Sequence, residues 1–196
     1  MKKIDITDKI SYIEASENPL SADIGIIRDN GITWLFDVGN GNDSLPTLNV
    51  GSNVVLSHFH QDHTGNIDKI NAREIFASKE TCMHIHKGTI ISDSVHIGNM
   101  HIFPLPSSHA KGCLGLEVDE TYAFVGDALY CKAKGERYVY NAQILKDEID
   151  VLKKLNASFL LVSHYSGLIR KKEDVIAELE AIYKSRTANV PEIIIS

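Results

Sequence analysis

Cysteine is scarce in this chain of 196 residues: Cys82, Cys113 and Cys131 form an odd set of three with no Cys-x-x-Cys spacing. That argues against a disulfide framework. Long apolar runs are missing too, and nothing approaches the roughly 20 residues that span a bilayer. Lys2 and Lys3 are not followed by the apolar core of a signal peptide. A reduced, cytoplasmic setting with no membrane partner is therefore expected. Positive charge is in short supply: 20 Lys and Arg against 26 Asp and Glu leave a net charge of −6. A nucleic-acid surface is usually basic, so no nucleic-acid partner is expected. What remains is ordinary for a globular protein, with 43% apolar and 23% charged residues, and the length suits a single domain over residues 1–196.

The first half reads as strands joined by turns. β-branched and aromatic runs at Ile24 to Arg28 and Ile32 to Val38 flank Asp29-Asn30-Gly31, a hairpin signal. Asn53 to Ser57, His101 to Leu105, Leu114 to Val118 and Tyr122 to Val125 are further strand candidates, the last two around an Asp119-Glu120 turn. Asn66 to Ile70 and Lys79 to His86 are expected as short helices. In the second half the period changes. Ile144, Leu145, Ile149, Leu152 and Leu155 share one helical face, and so do Val175, Ile176, Leu179, Ile182 and Tyr183, with the strand Ser158 to Ser163 between them. Strands with helices interspersed imply a layered α/β domain.

Histidine is where the sequence departs from the ordinary. Residues 57–66 read Ser-His-Phe-His-Gln-Asp-His-Thr-Gly-Asn, directly behind the apolar Val54-Val55-Leu56. Three histidines and an aspartate in six positions make a dense donor set for a borderline metal such as zinc. In extended chain His58 and His60 point to one side. Asp62 and His63, after a change of direction, face a second ion. Three more candidates follow apolar strands: His109 after Pro104-Leu105-Pro106, Asp127 in Val125-Gly126-Asp127 and His164 in Val162-Ser163-His164. Each alone is weak. Strand ends on one edge of a sheet converge, and that shared position links them.

This order of residues resembles the metallo-β-lactamase fold superfamily, over nearly the whole chain and including Asp37 in Phe36-Asp37-Val38-Gly39. The resemblance implies an αββα sandwich with metals at one edge of two sheets. It implies that His58, His60 and His109 hold one ion and Asp62, His63 and His164 another, with Asp127 bridging them. The cofactors would be two divalent ions, zinc first, with iron or manganese as alternatives. Two cations sharing a water lower its pKa by several units, leaving a hydroxide at neutral pH to attack a carbonyl or phosphoryl centre. Asp62 would also orient that nucleophile. Asp37 would stand behind the ligands and hold an imidazole, or else cap its turn.

Fold does not choose substrate. An aspartate at position 127 resembles the thioesterase, lactonase and nuclease branches, whereas many β-lactamases of this fold carry cysteine or serine there; Cys131 is out of register for that role. The expected function is a small glyoxalase II-like hydrolase, not a true β-lactamase, acting on a small-molecule thioester, ester or lactone. With 32 residues after His164, no C-terminal glutathione-gripping domain like that of full-length glyoxalase II is expected. Two other readings share the residues: a mononuclear iron sulfur dioxygenase using His58, His109 and Asp127, and a non-catalytic metal-binding sensor.

Other residues are set aside. His84 and His86 are expected on a helix surface, and His96 and His101 as satisfied histidines in strands. Met83, Met100 and Trp34 read as packing residues, and Cys113 and Cys131 as buried structural thiols. Lys111 and Tyr165 lie near the site in sequence, and substrate choice is expected in the loops Asn40 to Gly51 and Lys132 to Tyr140.

Overall fold

The computed structural model describes residues 2–48 and 51–195. In chain order its strands are β1 (Lys3–Asp5), β2 (Ile10–Ile13), β3 (Ser16–Glu17), β4 (Leu20–Ser21), β5 (Ile24–Asp29), β6 (Ile32–Phe36), β7 (Ser52–Val55), β8 (Ala72–Ala77), β9 (Thr89–Ile90), β10 (Val95–Ile97), β11 (Met100–Pro104), β12 (Leu114–Val118), β13 (Tyr122–Gly126), β14 (Lys132–Lys134), β15 (Arg137–Asn141), β16 (Phe159–Val162), β17 (Ile169–Lys171) and β18 (Glu192–Ile195). The helices are α1 (Leu45–Leu48), α2 (Gln61–Thr64), α3 (Lys79–Ile85), α4 (Ala142–Lys154) and α5 (Lys172–Lys184). None is long and apolar enough to cross a membrane.

Two sheets form the body. The first has the order β1-β2-β5-β6-β7-β8-β9 and the second β10-β11-β12-β13-β16-β17. Within them, β6-β7-β8-β9 and β13-β16 pair in parallel and the rest antiparallel. The period-two alternation of the strands decides the layers. Ile27, Trp34, Phe36 and Val55 from one sheet meet Ile102, Leu114, Leu116 and Phe124 from the other in a shared core. Ile24, Ile26, Leu35 and Val54 face outward beneath Leu48, Ile67 and α3. Ala123, Val125, Leu160 and Val162 face outward beneath Leu145, Ile149 and Leu152 of α4 and Val175 and Leu179 of α5. The result is an αββα sandwich. The sheets approach closely at Gly25, where an added Cβ would stand 2.5 Å from the Phe124 ring.

The Asn30-Gly31 turn joins β5 to β6 with positive φ at both residues, 48° and 78°, the mirror-image turn that matches strand twist. Asn141 caps α4 through its side-chain oxygen, which accepts the N–H groups of Gln143 and Ile144. Three expectations are corrected. Asn66 to Ile70 is a run of turns and not a helix: the Asn66 side chain is buried and donates to the Val38 carbonyl and to Ser44, which holds the backbone out of helical register. Lys132 to Tyr140 is largely a hairpin, because β15 finds a partner in the distant β18, pairing Tyr140 with Ile193. Met83 is 65% exposed, since α3 turns Thr81 inward instead. In the Asn40 to Gly51 segment, α1 occupies part of the expected loop, and residues 49 and 50 lie outside the described residues.

Candidate metal centre

The seven candidate ligands come from strand ends on one edge of the sandwich. His58 and His60 follow β7, and α2 immediately turns Asp62 and His63 back toward them. His109 lies between β11 and β12, Asp127 follows β13 and His164 follows β16. Gly126 makes the bend before Asp127 at φ +55°, and a Cβ there would meet Ser57 at 2.7 Å, so the close approach of the two sheets' loops requires glycine.

These side chains form two donor groups, His58-His60-His109 and Asp62-His63-Asp127-His164. In the first, Nδ1 of His60 lies 2.9 Å from Nε2 of His58 and 3.1 Å from Nε2 of His109. One imidazole nitrogen supplies one hydrogen or one lone pair, so this three-way convergence is not satisfied by hydrogen bonding alone. Two nitrogens bound tetrahedrally at ~2.0 Å to zinc stand ~3.3 Å apart, close to what is seen. In the second group Oδ2 of Asp62 is 3.0 Å from Nε2 of His164 and 3.5 Å from Nε2 of His63. Oδ2 of Asp127 is 3.4 Å from Nε2 of His63 and 3.5 Å from Nε2 of His109, so it stands between the groups. Nε2 of His63 and Oδ1 of Asp127 are buried without a hydrogen-bond partner among the described residues. Buried orphans aimed into a convergent N/O cluster fit a pair of divalent ions.

Behind the donors sits Asp37, fully buried at the end of β6. Its Oδ1 accepts the Ser57 N–H at 2.7 Å, and its Oδ2 is 2.7 Å from both Ser57 Oγ and His63 Nδ1. Ser57 Oγ is in turn 3.0 Å from His58 Nδ1. The serine has one hydroxyl hydrogen. With that hydrogen on Asp37, the Nδ1–H of His58 donates to Ser57 and the Nδ1–H of His63 to Asp37. One carboxylate thus orients an imidazole in each group and leaves both Nε2 atoms facing the donor cluster. Ser107 does similar work on the other side: its Oγ accepts the His109 N–H and donates to the Ala128 carbonyl, joining the His109 and Asp127 loops.

Protonation divides the groups. Burial lowers the pKa of His58, His60 and His109, with neighbouring histidines adding to the effect. They are neutral donors without needing to shed a proton. For His63, burial opposes the charge, but Asp37 and Asp127 outweigh it and raise the pKa to about 10, so a proton and a cation compete for Nε2. His164 is raised by its bond to Asp62. Burial works to raise Asp62, but the His164 hydrogen bond and nearby histidine charge leave it lowered and ionised.

A cleft of about 570 Å³ opens beside His164, its walls including Glu14, Glu17, Leu20, Asp23, Tyr165 and Leu168. Tyr165 lies under the Arg170 guanidinium, and Lys111 is exposed outside both donor groups. His84 is closer to the centre than its helix position implied, stacked at 4.4 Å on Phe59 between two ligands. His101 is satisfied by Glu117 and stacks on His96. Cys113 is buried, and burial pushes its thiol up to about 12, whereas Cys131, expected to be buried too, is only half-buried at the rim of the α4–α5 core. Sequence reasoning passed over Ser57, Ser107 and Asp23. Ser57 had a signal in its place beside His58; the other two had none, because their partners are supplied by other loops.

No protein-family model and no curated protein sequence matches this chain. Solved structures do. A chemotaxis sensor with a peroxy diiron species superposes with a TM-score of 0.69 at 17% identity, over 91% of this chain and 94% of that one. The metallo-β-lactamase DIM-1 gives 0.68 at 12% identity, over 95% and 98%. A flavo di-iron protein from Thermotoga maritima gives 0.67 at 15% identity, over 96% of this chain and 63% of that longer one. The chain has the metallo-β-lactamase fold.

Proposed function

We propose that this metallo-β-lactamase-fold chain is a binuclear metal-dependent hydrolase of the glyoxalase II-like kind, acting on a small thioester, ester or lactone. The observation that carries the reading is Asp127, whose Oδ2 stands within 3.5 Å of a nitrogen from each donor group. Two divalent ions held there would acidify water and polarise the scissile carbonyl oxygen. His58, His60 and His109 would hold one ion, Asp62, His63 and His164 the other, and Asp127 both. The nitrogen-rich first group suits zinc better than magnesium or calcium.

The remaining work falls to the protein. Asp62 stays ionised beside His164, and its carboxylate would accept a hydrogen bond from the attacking water and so orient it. Asp37 and Ser57 keep the imidazoles of His58 and His63 from turning. An aspartate at position 127, with Cys131 outside both donor groups, supports a thioesterase or lactonase over a β-lactamase. The acidic cleft walls and the net charge of −6 favour a small neutral substrate over a polyanion.

The test is elemental analysis of protein prepared without chelator, followed by a panel of thioesters, esters, lactones and phosphodiesters. Near two zinc ions per chain with turnover in the first three classes is expected. Two ions with no turnover in any class would sink the hydrolase reading. The likeness to the diiron chemotaxis sensor favours a second reading, in which the same donors hold iron and the chain senses or consumes oxygen. Iron in the native protein together with oxygen uptake would put that reading first; a single iron would point to the dioxygenase form using His58, His109 and Asp127.

A further inference from the structure

Asp23 lies outside both donor groups, immediately before β5, and is 8% exposed. Its carboxylate joins two loops that are distant in sequence. Oδ1 accepts the Ala15 N–H at 3.0 Å, and Oδ2 accepts the His164 N–H at 2.9 Å. The Asp23 N–H donates to Ser163 Oγ at 3.1 Å, and that hydroxyl lies 3.4 Å from Asp23 Oδ2. The residue before it contributes as well: the Ala22 N–H donates to the Asp62 carbonyl at 2.9 Å. One short segment leading into β5 of the first sheet therefore grips the backbones of two ligands, Asp62 on α2 and His164 at the edge of the second sheet. These are the two ligands whose side chains meet at 3.0 Å.

His164 needs that grip. Its φ is +59°, a left-handed conformation that residues with a Cβ adopt at a steric cost. Its side chain is 26% exposed on the wall of the cleft, so packing alone does not fix it. The Tyr130 hydroxyl donates to the Ser163 carbonyl and steadies the same loop from the other side. Among the described residues, Asp23 is the one acidic side chain bonded to the His164 backbone.

We infer that Asp23 is a positioning residue for the second metal ion, holding His164 at the angle that aims Nε2 at Asp62 and Asp127. The inference rests on the binuclear reading. Among the described residues Asp23 has no hydrogen bond to the first group, so its loss weakens one ion and spares the other. A carboxylate is required because both oxygens are used; asparagine offers one acceptor and turns an N–H toward the other backbone N–H.

The experiment is zinc competition with a chromophoric chelator on the full chain, resolving the two affinities, for wild type, Asp23→Asn, Asp23→Ala and Ser163→Ala. Removal of a group that orients a ligand weakens metal binding by ~10- to 100-fold. That loss is expected for the second zinc in both Asp23 variants, with the first affinity unchanged and zinc content falling from near two toward one after gel filtration. Ser163→Ala, which leaves the carboxylate in place, is expected to show a smaller loss of the same kind. Asp23→Asn preserves shape and carries the test if the alanine variant does not fold. Both affinities unchanged, or both lowered together, would overturn the inference, because a general structural role does not distinguish the sites. Wild type binding fewer than two zinc ions would overturn both this inference and the binuclear reading. Two zinc ions without turnover would sink only the hydrolase.

Discussion

Replacing Glu148 by glutamine isolates one buried proton. Glu148 is on α4, fully buried, and neither carboxyl oxygen has a hydrogen-bond partner among the described residues. Burial raises its pKa well above the ordinary 4.5, so it is carried in the fold as a neutral acid. The sign follows from linkage. Above pH 4.5 the unfolded chain releases this proton while the folded chain keeps it, so the unfolded state binds fewer protons and stability falls as pH rises. The slope from this residue is about 1.4 kcal/mol per pH unit, which integrates to about 2.6 kcal/mol between pH 5 and pH 7 while the buried acid stays protonated. The loss levels off only when pH passes the folded pKa. Glutamine cannot ionise, so Glu148→Gln removes the slope. Its buried amide adds a cost of its own, but one that does not vary with pH. The assay is urea unfolding of both proteins at several pH values from 5 to 7, with the difference in stability taken at equal m. The variant is expected to gain on the wild type steadily toward pH 7. A difference that stays flat across the range would refute the assignment of a neutral buried acid.

Asp37→Ala is expected to weaken metal binding by ~10- to 100-fold, measured by chelator competition, because the Ser57 and His63 donors lose their acceptor. Gly126→Ala places a Cβ 2.7 Å from that of Ser57 at φ +55° and is expected to cost about 1–3 kcal/mol of stability, with poorer metal retention, read by urea unfolding and elemental analysis. Asn141→Ala removes the cap of α4, accepted at 3.0 and 3.1 Å, and is expected to cost about 1 kcal/mol in the same unfolding assay with metal content unchanged.

Local signals in the chain carried a large part of the fold. The Asn30-Gly31 turn, the β-branched, aromatic and apolar runs of β5, β6, β12 and β13, and the helical period of α4 and α5 depend on neighbours within a few residues, so they can be read from a string. The histidine-rich segment is legible for the same reason: His58, His60, Asp62 and His63 are compressed into six positions behind an apolar strand. Segments whose structure depends on a remote partner were misread. β15 owes its strand to β18, and the turns at Asn66 owe theirs to the Val38 carbonyl and Ser44.

The sequence by itself determined which atoms are available to bind a metal, and the order in which strands deliver them. Tertiary structure decided how those atoms are held. Asp23 and His164 are separated by 141 positions, and Asp37 and His63 by 26. A hydrogen bond between two loops leaves no period and no motif in either segment, because each loop's partner is set by how two sheets stack. Donor identity is a property of residues, and donor orientation is a property of packing.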